Sequence, residues 1–373
     1  MIFAYFSRSS NRKREFAKFQ EFAGVQQSVI LSPGQTRWLS LRCCVIWILE
    51  NLEPLILYFT AEVLDDKNKA SLDILTYIRH PMTKPLLLFM EYALGLLDDF
   101  NTVFQGEAPL LHELQPRVKK LIDNFASNFM RMNYVRSASK VDPHLTSQYM
   151  PLSGVYLGVG NYGELEKLCS GDQELVLTGC RNFYIEAILQ LQKRFDFKDS
   201  FFSTIQQIIP KNVRERTPPT LQLIFSTFPT LRNACDPAKA ETEWRALSLL
   251  STEELGLQTE DELRLLSAET FWVLVLKLKS SAGLLFPNVA VVITFIFSLS
   301  YSNAIAERVF SFLKINRNDR RNCLSNDVLL GLMRTKFLMK NTHSTAATIK
   351  FPDKLIDRVQ KVRANAVIVG DEF

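Results

Sequence analysis

The chain has 373 residues, of which 47% are hydrophobic and 22% charged, close to the average of a soluble globular protein. Its 14 glycines and 15 prolines exclude collagen-like and low-complexity classes. The net charge of +5 is too small to indicate nucleic-acid binding by itself. At about 150 residues per domain, the length allows two or three domains.

Cysteine and histidine usage points to a reducing compartment. The 6 cysteines and 4 histidines are scattered without zinc-ligand spacing, and Cys43 and Cys44 lie in an apolar run, as buried thiols do. Residues 2–6 are too short a hydrophobic run for a signal peptide, and the basic residues follow it instead of preceding it. Residues 289–299 are shorter than the roughly 18–20 needed to cross a bilayer. We therefore expect an intracellular protein without membrane contact, in which 289–299 is a buried core helix.

The first half of the chain is dominated by apolar residues at helical spacing. After a basic N-terminal segment at 1–35, a long helix is predicted from Thr36 to about Phe59, and Pro54 should kink it. Its apolar face is formed by Leu41, Val45, Ile48, Leu52, Leu55 and Phe59. Two more helices are predicted over 86–104 and 110–129, and the second should begin or bend at Pro116.

The second half begins with the least regular segment. Residues 137–180 hold six glycines between Gly154 and Gly179, and short strands or a long loop fit equally well. A helix is predicted over 181–195, followed by short helices between prolines, a solvated acidic connector over 252–262 and a helix over 268–279. The whole pattern predicts a mainly α fold.

The C-terminal region predicts two amphipathic helices joined by a basic turn. Ser302 or Asn303 and then Ser325 are candidate N-caps. Glu307, Ser311 and Lys314 share a polar stripe. The apolar stripe of the first helix comprises Ala306, Val309, Phe310 and Leu313, and the buried side of the second comprises Val328, Leu329, Leu332, Met333 and Phe337. On its residues alone, this is an ordinary helical hairpin with a solvated glutamate.

Short strings in this region and upstream of it resemble the hAT superfamily of transposases. They are SNA at 302–304, AERVFS at 306–311 and RRNCLS at 320–325, after TRWLSL at 36–41, FQGEAPL at 104–110, FW at 271–272 and FPN at 286–288. Each string is weak, but their order and spacing agree over residues 5–340. The resemblance covers most of the chain.

The resemblance implies an RNase H-like core split by a large helical insertion. Two early aspartates and one late glutamate would hold divalent metal in such an enzyme, because two ions clamp the oxygens of the phosphodiester. Glu307 matches the late glutamate. The two aspartates should precede the segment at 36–41, yet Asp65 is the first aspartate in this chain. A truncated gene, a decayed element and a domesticated remnant all fit that pattern.

With this resemblance, we expect four parts. They are a basic segment at 1–35, an insertion-type helical domain at 36–285, the C-terminal dimerisation region of the superfamily at 286–342, and a tail at 343–373. We expect a mainly α protein with a C-terminal helical remnant of a split RNase H-like fold. Two basic clusters are candidate phosphate contacts, although basic runs of this kind are more often solvated faces. They comprise Arg8, Arg12, Lys13, Arg14 and Lys18, and then Arg317, Arg320 and Arg321.

The expected function is protein association rather than catalysis. The two C-terminal helices lack enough chain to bury both faces locally, so we expect a homodimer or pairing with a related hAT-type protein, in the nucleus and without a cofactor. Non-specific DNA binding is an alternative. A magnesium-dependent transposase or nuclease is another, and it requires other carboxylates near Glu307. The candidates for that role are Asp65, Asp66, Asp98 and Asp99.

Overall fold

The computed structural model describes residues 1–7, 9–29, 38–66, 68–106, 108, 110–197, 200–213, 220–281, 283–300, 303–318 and 322–370. It is 71% helix and 2% strand, which confirms the mainly α prediction. The chain divides into two compact units, Met1–Ser302 and Asn303–Phe373, called here the N-terminal and C-terminal units.

The first core of the N-terminal unit is built from aromatic rings on four helices and aliphatic side chains of a fifth. These are α1 (Ile2–Ser7), α2 (Ser10–Phe22), α3 (Trp38–Glu50), α4 (Leu52–Asp66) and α5 (Lys69–Arg79). Phe6 and Phe16 are fully buried against Tyr58 of α4, so the segment predicted as basic and polar contributes to a core. The helices α3 and α4 are bent by 70°, and Pro54 lies in the first turn of α4. This confirms the predicted kink.

The second core lies between two long helices and the shorter helices and loop that connect them. Its helices are α6 (Thr83–Phe104), α7 (Leu114–Ser127), α8 (Met132–Ser137), α9 (Tyr162–Leu165) and α10 (Ser170–Arg194). The irregular segment predicted over 137–180 is partly wrong, because α10 begins at Ser170. Val176, Cys180 and Tyr184 recur every four residues and are buried, which offsets the low helix propensity of the glycines there.

The third core closes the N-terminal unit. Its helices are α11 (Ser200–Ile205), α12 (Pro210–Val213), α13 (Gln222–Thr227), α14 (Pro237–Ala246), α15 (Glu260–Leu265), α16 (Ala268–Val275) and α17 (Pro287–Ser298). A two-stranded antiparallel ribbon pairs β1 (Lys279–Ser280) with β2 (Gly283–Leu284). The helix predicted over 268–279 therefore ends early. Val289, Val292 and Ile293 of α17 are fully buried, as predicted for a core helix.

Two strings that carry the family resemblance have structural roles in this core. Trp272 stacks on Trp244 with ring centroids 5.9 Å apart, and its Nε1 donates a hydrogen bond to the Ile208 carbonyl at 2.8 Å. The Glu243 carboxylate of α14 accepts hydrogen bonds from the backbone N–H groups of Asn288 and Val289, both at 2.8 Å, and from Asn288 Nδ2 at 2.6 Å. Glu243 thus caps the N-terminus of α17 from a neighbouring helix.

The C-terminal unit contains α18 (Ala304–Asn316), α19 (Asn326–Asn341) and α20 (Asp353–Gly370). Ser325 caps α19 as predicted, since its Oγ accepts from the Val328 N–H. Residues 343–373, predicted as a tail, include the helix α20. The unit begins at Asn303, and α17 is buried in the third core of the N-terminal unit.

Within the described residues, no single helix combines the length and apolar content needed to cross a bilayer. The bent pair Ser40–Glu50 and Leu52–Asp65 meets that composition only when its two helices are counted together.

Candidate association surface

The helices α18 and α19 pack against each other through a half-buried inner face. Val309, Phe312 and Leu313 are partly buried on α18, and Leu329 and Met333 are partly buried on α19. The Lys336 ammonium lies over the Phe312 ring at 4.0 Å from its centroid. Such a cation–π contact contributes roughly 0.5–1 kcal/mol at an exposed site and fixes how the two helices meet.

The outer face of α18 is exposed and carries both polar and apolar groups. Glu307, Phe310, Ser311 and Lys314 are all exposed, and their spacing of three and four residues places them on one side of the helix. Phe310 is 61% exposed. The apolar stripe predicted for α18 therefore divides between two faces: Val309 and Leu313 lie inside the hairpin, while Ala306 and Phe310 are exposed.

The predicted buried side of α19 is not buried. Val328, Leu332 and Phe337 are exposed, and no residue of α19 is buried. The physical reason is that the hairpin supplies one layer, whereas an amphipathic helix needs a second layer against its apolar face.

No described side chain of the C-terminal unit is buried, and the three hydrophobic cores end at Ile296. Large apolar side chains are exposed on all three of its helices and in the loop before α20. They are Phe310, Ile315, Val328, Leu330, Leu332, Phe337, Leu338, Phe351, Leu355, Ile356 and Val359. A set of exposed large apolar side chains is a candidate site of protein association. We call this set the apolar surface of the C-terminal unit.

Glu307 lies in the first turn of α18, where its N–H donates to the Asn303 carbonyl at 2.8 Å. Among the residues that the structure describes, no group of three or more His, Cys, Asp or Glu side chains could hold a metal ion. Asp65, Asp98 and Asp99 belong to the N-terminal unit, and the Asp66 side chain lies outside the described part of the chain.

One buried carboxyl group in the N-terminal unit has an unusual environment. Asp98 of α6 is 7% exposed, and its Oδ1 has no hydrogen-bond partner within the described residues. Burial raises the pKa of Asp98, and the nearby Arg42 guanidinium opposes that shift. Arg42 itself lies across Gly95 and donates from Nε to the Glu91 carbonyl at 3.2 Å. The Arg42 side chain thereby joins α3 to α6.

The N-terminal basic cluster is largely engaged in local contacts. The Arg12 guanidinium lies 4.0 Å from the centroid of the Tyr5 ring, and its Nη1 donates to the Tyr5 carbonyl at 3.2 Å. Arg14 donates to Asn11, and Lys18 pairs with Glu15 at 3.0 Å. Lys13 is exposed, while Arg8 lies outside the described residues.

The positive charge of the chain is concentrated in the C-terminal unit. Lys and Arg outnumber Asp and Glu by 13 to 7 over residues 303–373, whereas the two kinds of charge nearly balance over 1–302. Arg317 is exposed at the end of α18; Arg320 and Arg321 lie outside the described residues, as do Thr36 and Arg37 and the side chain of Trp38. The total charge of +5 hides this asymmetry, which appears only when the charges are counted within each part of the chain.

No family model matches the chain, and neither the curated proteins nor the solved structures contain one that is significantly similar to it.

Proposed function

We propose that this protein is a transposase-derived association protein that forms a homodimer through its C-terminal unit. The observation that carries the proposal is the apolar surface of that unit, together with the lack of any buried side chain among its described residues. Exposed apolar area is stabilised at about 25 cal/mol per Å² when it is removed from water. We therefore expect a partner surface to cover these side chains.

We propose a second copy of the chain as the partner that covers this surface, since most oligomers of soluble proteins are symmetric homo-oligomers. The hAT resemblance supports the same region, because the strings at 302–311 and 320–325 belong to the dimerisation region of that superfamily. The proposal includes no catalytic step.

The proposal is tested by measuring the mass of the full chain by size-exclusion chromatography with light scattering. We expect about twice 42.8 kDa for the wild type. Phe310→Asp places a charge on the apolar surface and should shift the protein to a monomer without changing its helical circular dichroism. Leu265→Asp is the matched control, because Leu265 is 87% exposed on the N-terminal unit. A monomeric wild type at concentrations of about 100 μM would exclude the homodimer.

The charge of the C-terminal unit favours a second candidate function, non-specific binding to nucleic acid. Phosphate contacts release counterions, so affinity for a duplex should fall steeply with salt. Fluorescence anisotropy with a labelled DNA duplex at two salt concentrations tests this candidate. Arg317→Glu should weaken binding, and Lys13→Glu in the N-terminal unit should weaken it less. Equal affinity at both salt concentrations would exclude this mode of binding.

A further inference from the structure

The outer face of α18 carries a charge pattern that is complementary to itself in one orientation only. Glu307 and Lys314 are seven residues apart, which is about 10 Å along the helix axis, so they cannot pair within one helix. Neither side chain makes an ion pair in the part of the chain that the structure describes. Both are exposed and flank Phe310 on opposite sides.

Two copies of α18 that meet antiparallel about a two-fold axis at Phe310 and Ser311 would satisfy both charges. Glu307 and Lys314 are equally far from that axis, so each comes level with the other residue of the second helix. The isologous symmetry of such a contact repeats the pair, giving two identical ion pairs around a central pair of phenylalanine rings. In a parallel arrangement Glu307 would face Glu307, and Lys314 would face Lys314.

We propose that Glu307 and Lys314 form reciprocal ion pairs between two copies of the chain and set the antiparallel orientation of α18 in the dimer. This inference rests on the proposed homodimer and gives Glu307 a role in orientation. Charge pairs across an interface act mainly on specificity, because an arrangement that brings like charges together is disfavoured. Phe310 supplies the apolar contact at the centre of the pair.

Charge reversal tests the orientation. Glu307→Lys alone places two lysines opposite each other at both ends of the contact, and Lys314→Glu alone does the same with two glutamates. Each single variant should raise the dimer dissociation constant about tenfold, measured by sedimentation velocity at about 50 mM salt, where exposed charges are weakly screened. The double variant should return to the wild-type value. An equimolar mixture of the two single variants should dimerise as well as the wild type, because all its pairs are then attractive.

Controls separate this inference from the proposed function and from misfolding. Glu174→Lys reverses an exposed charge on α10 and should leave the dissociation constant unchanged. Circular dichroism of each variant should match the wild type. A wild-type dimer whose affinity is the same in both single variants would overturn the antiparallel pairing and leave the homodimer in place. A monomeric wild type would instead overturn the proposed function.

Discussion

Replacing Glu243 with alanine should destabilise the third core through the start of α17. The Glu243 carboxylate is partly buried and accepts three hydrogen bonds, two of them from the backbone N–H groups of Asn288 and Val289. Those two donors have no partner within the helix, because they belong to its first turn. Losing a side-chain cap costs about 1–2 kcal/mol, and hydrogen bonds to a charged group are worth about 1.5–3 kcal/mol. Water replaces part of that interaction, so we expect Glu243→Ala to cost about 2–3 kcal/mol.

The measurement is urea unfolding followed by tryptophan fluorescence, because Trp244 and Trp272 both lie in this core. Glu243→Gln keeps an acceptor oxygen and loses the charge, so its cost should be about 1 kcal/mol. Glu174→Ala on the exposed side of α10 is the control and should change the free energy of unfolding by less than about 0.5 kcal/mol. If Glu243→Ala unfolds at the wild-type urea midpoint, the capping contact does not stabilise α17.

Two further changes probe the backbone and the pH dependence. Gly158→Ala should lower the free energy of unfolding by about 1–3 kcal/mol, because φ is +97° there and an added Cβ would lie 2.9 Å from Tyr92 Cβ. Gly179 lies within α10 with open space around it, so Gly179→Ala should raise the free energy of unfolding by about 0.5–1 kcal/mol. Equal thermal midpoints for the two variants would contradict this. Burial lowers the pKa of His112, and neither of its ring nitrogens is hydrogen-bonded within the described residues, so the unfolded chain takes up a proton there more readily than the folded one. The stability of the wild type should therefore fall as the pH drops below about 6.5. In urea titrations, His112→Phe should lose less stability than the wild type between pH 7.5 and 5.5. Equal losses of stability in the two proteins would show that His112 does not cause the pH dependence.

The helices that the sequence predicted best are those whose burial follows a simple period. In α7, Val118, Leu121 and Phe125 are buried and recur at three and four residues, and α17 repeats the pattern. Periodicity is reliable in such cases because one stripe faces one core. Pro54 and Pro116 also marked real helix starts, since proline is compatible with the first turn of a helix.

The start of α10 could not be predicted from periodicity. Gly171 and Gly179 lower the local helix propensity, and tertiary packing of Val176 and Cys180 outweighs it. The Glu243 cap joins residues about 45 positions apart, so no local pattern indicates it. These features depend on contacts that only the folded chain brings together.

The candidate surface on α18 was also predicted only in part. The spacing of Val309, Phe310 and Leu313 correctly indicated an amphipathic helix, but apolarity alone did not show which of these residues face α19 and which are exposed. That distinction needs the position of the second helix, for example of Lys336 over Phe312. The sequence also placed Arg12 in a basic cluster that could contact phosphate, whereas its guanidinium lies over the Tyr5 ring, and a count of basic residues cannot show this contact.

A homodimer that covers the apolar surface of the C-terminal unit should make amide exchange there depend on protein concentration. The measurement is hydrogen–deuterium exchange of the full chain, resolved by segment and repeated over a dilution series. Amides of α18 and α19 should be protected at high concentration and lose this protection on dilution, while residues 1–300 exchange at a constant rate. Exchange in α18 and α19 that is independent of protein concentration, in a chain that stays at 42.8 kDa, would exclude the homodimer.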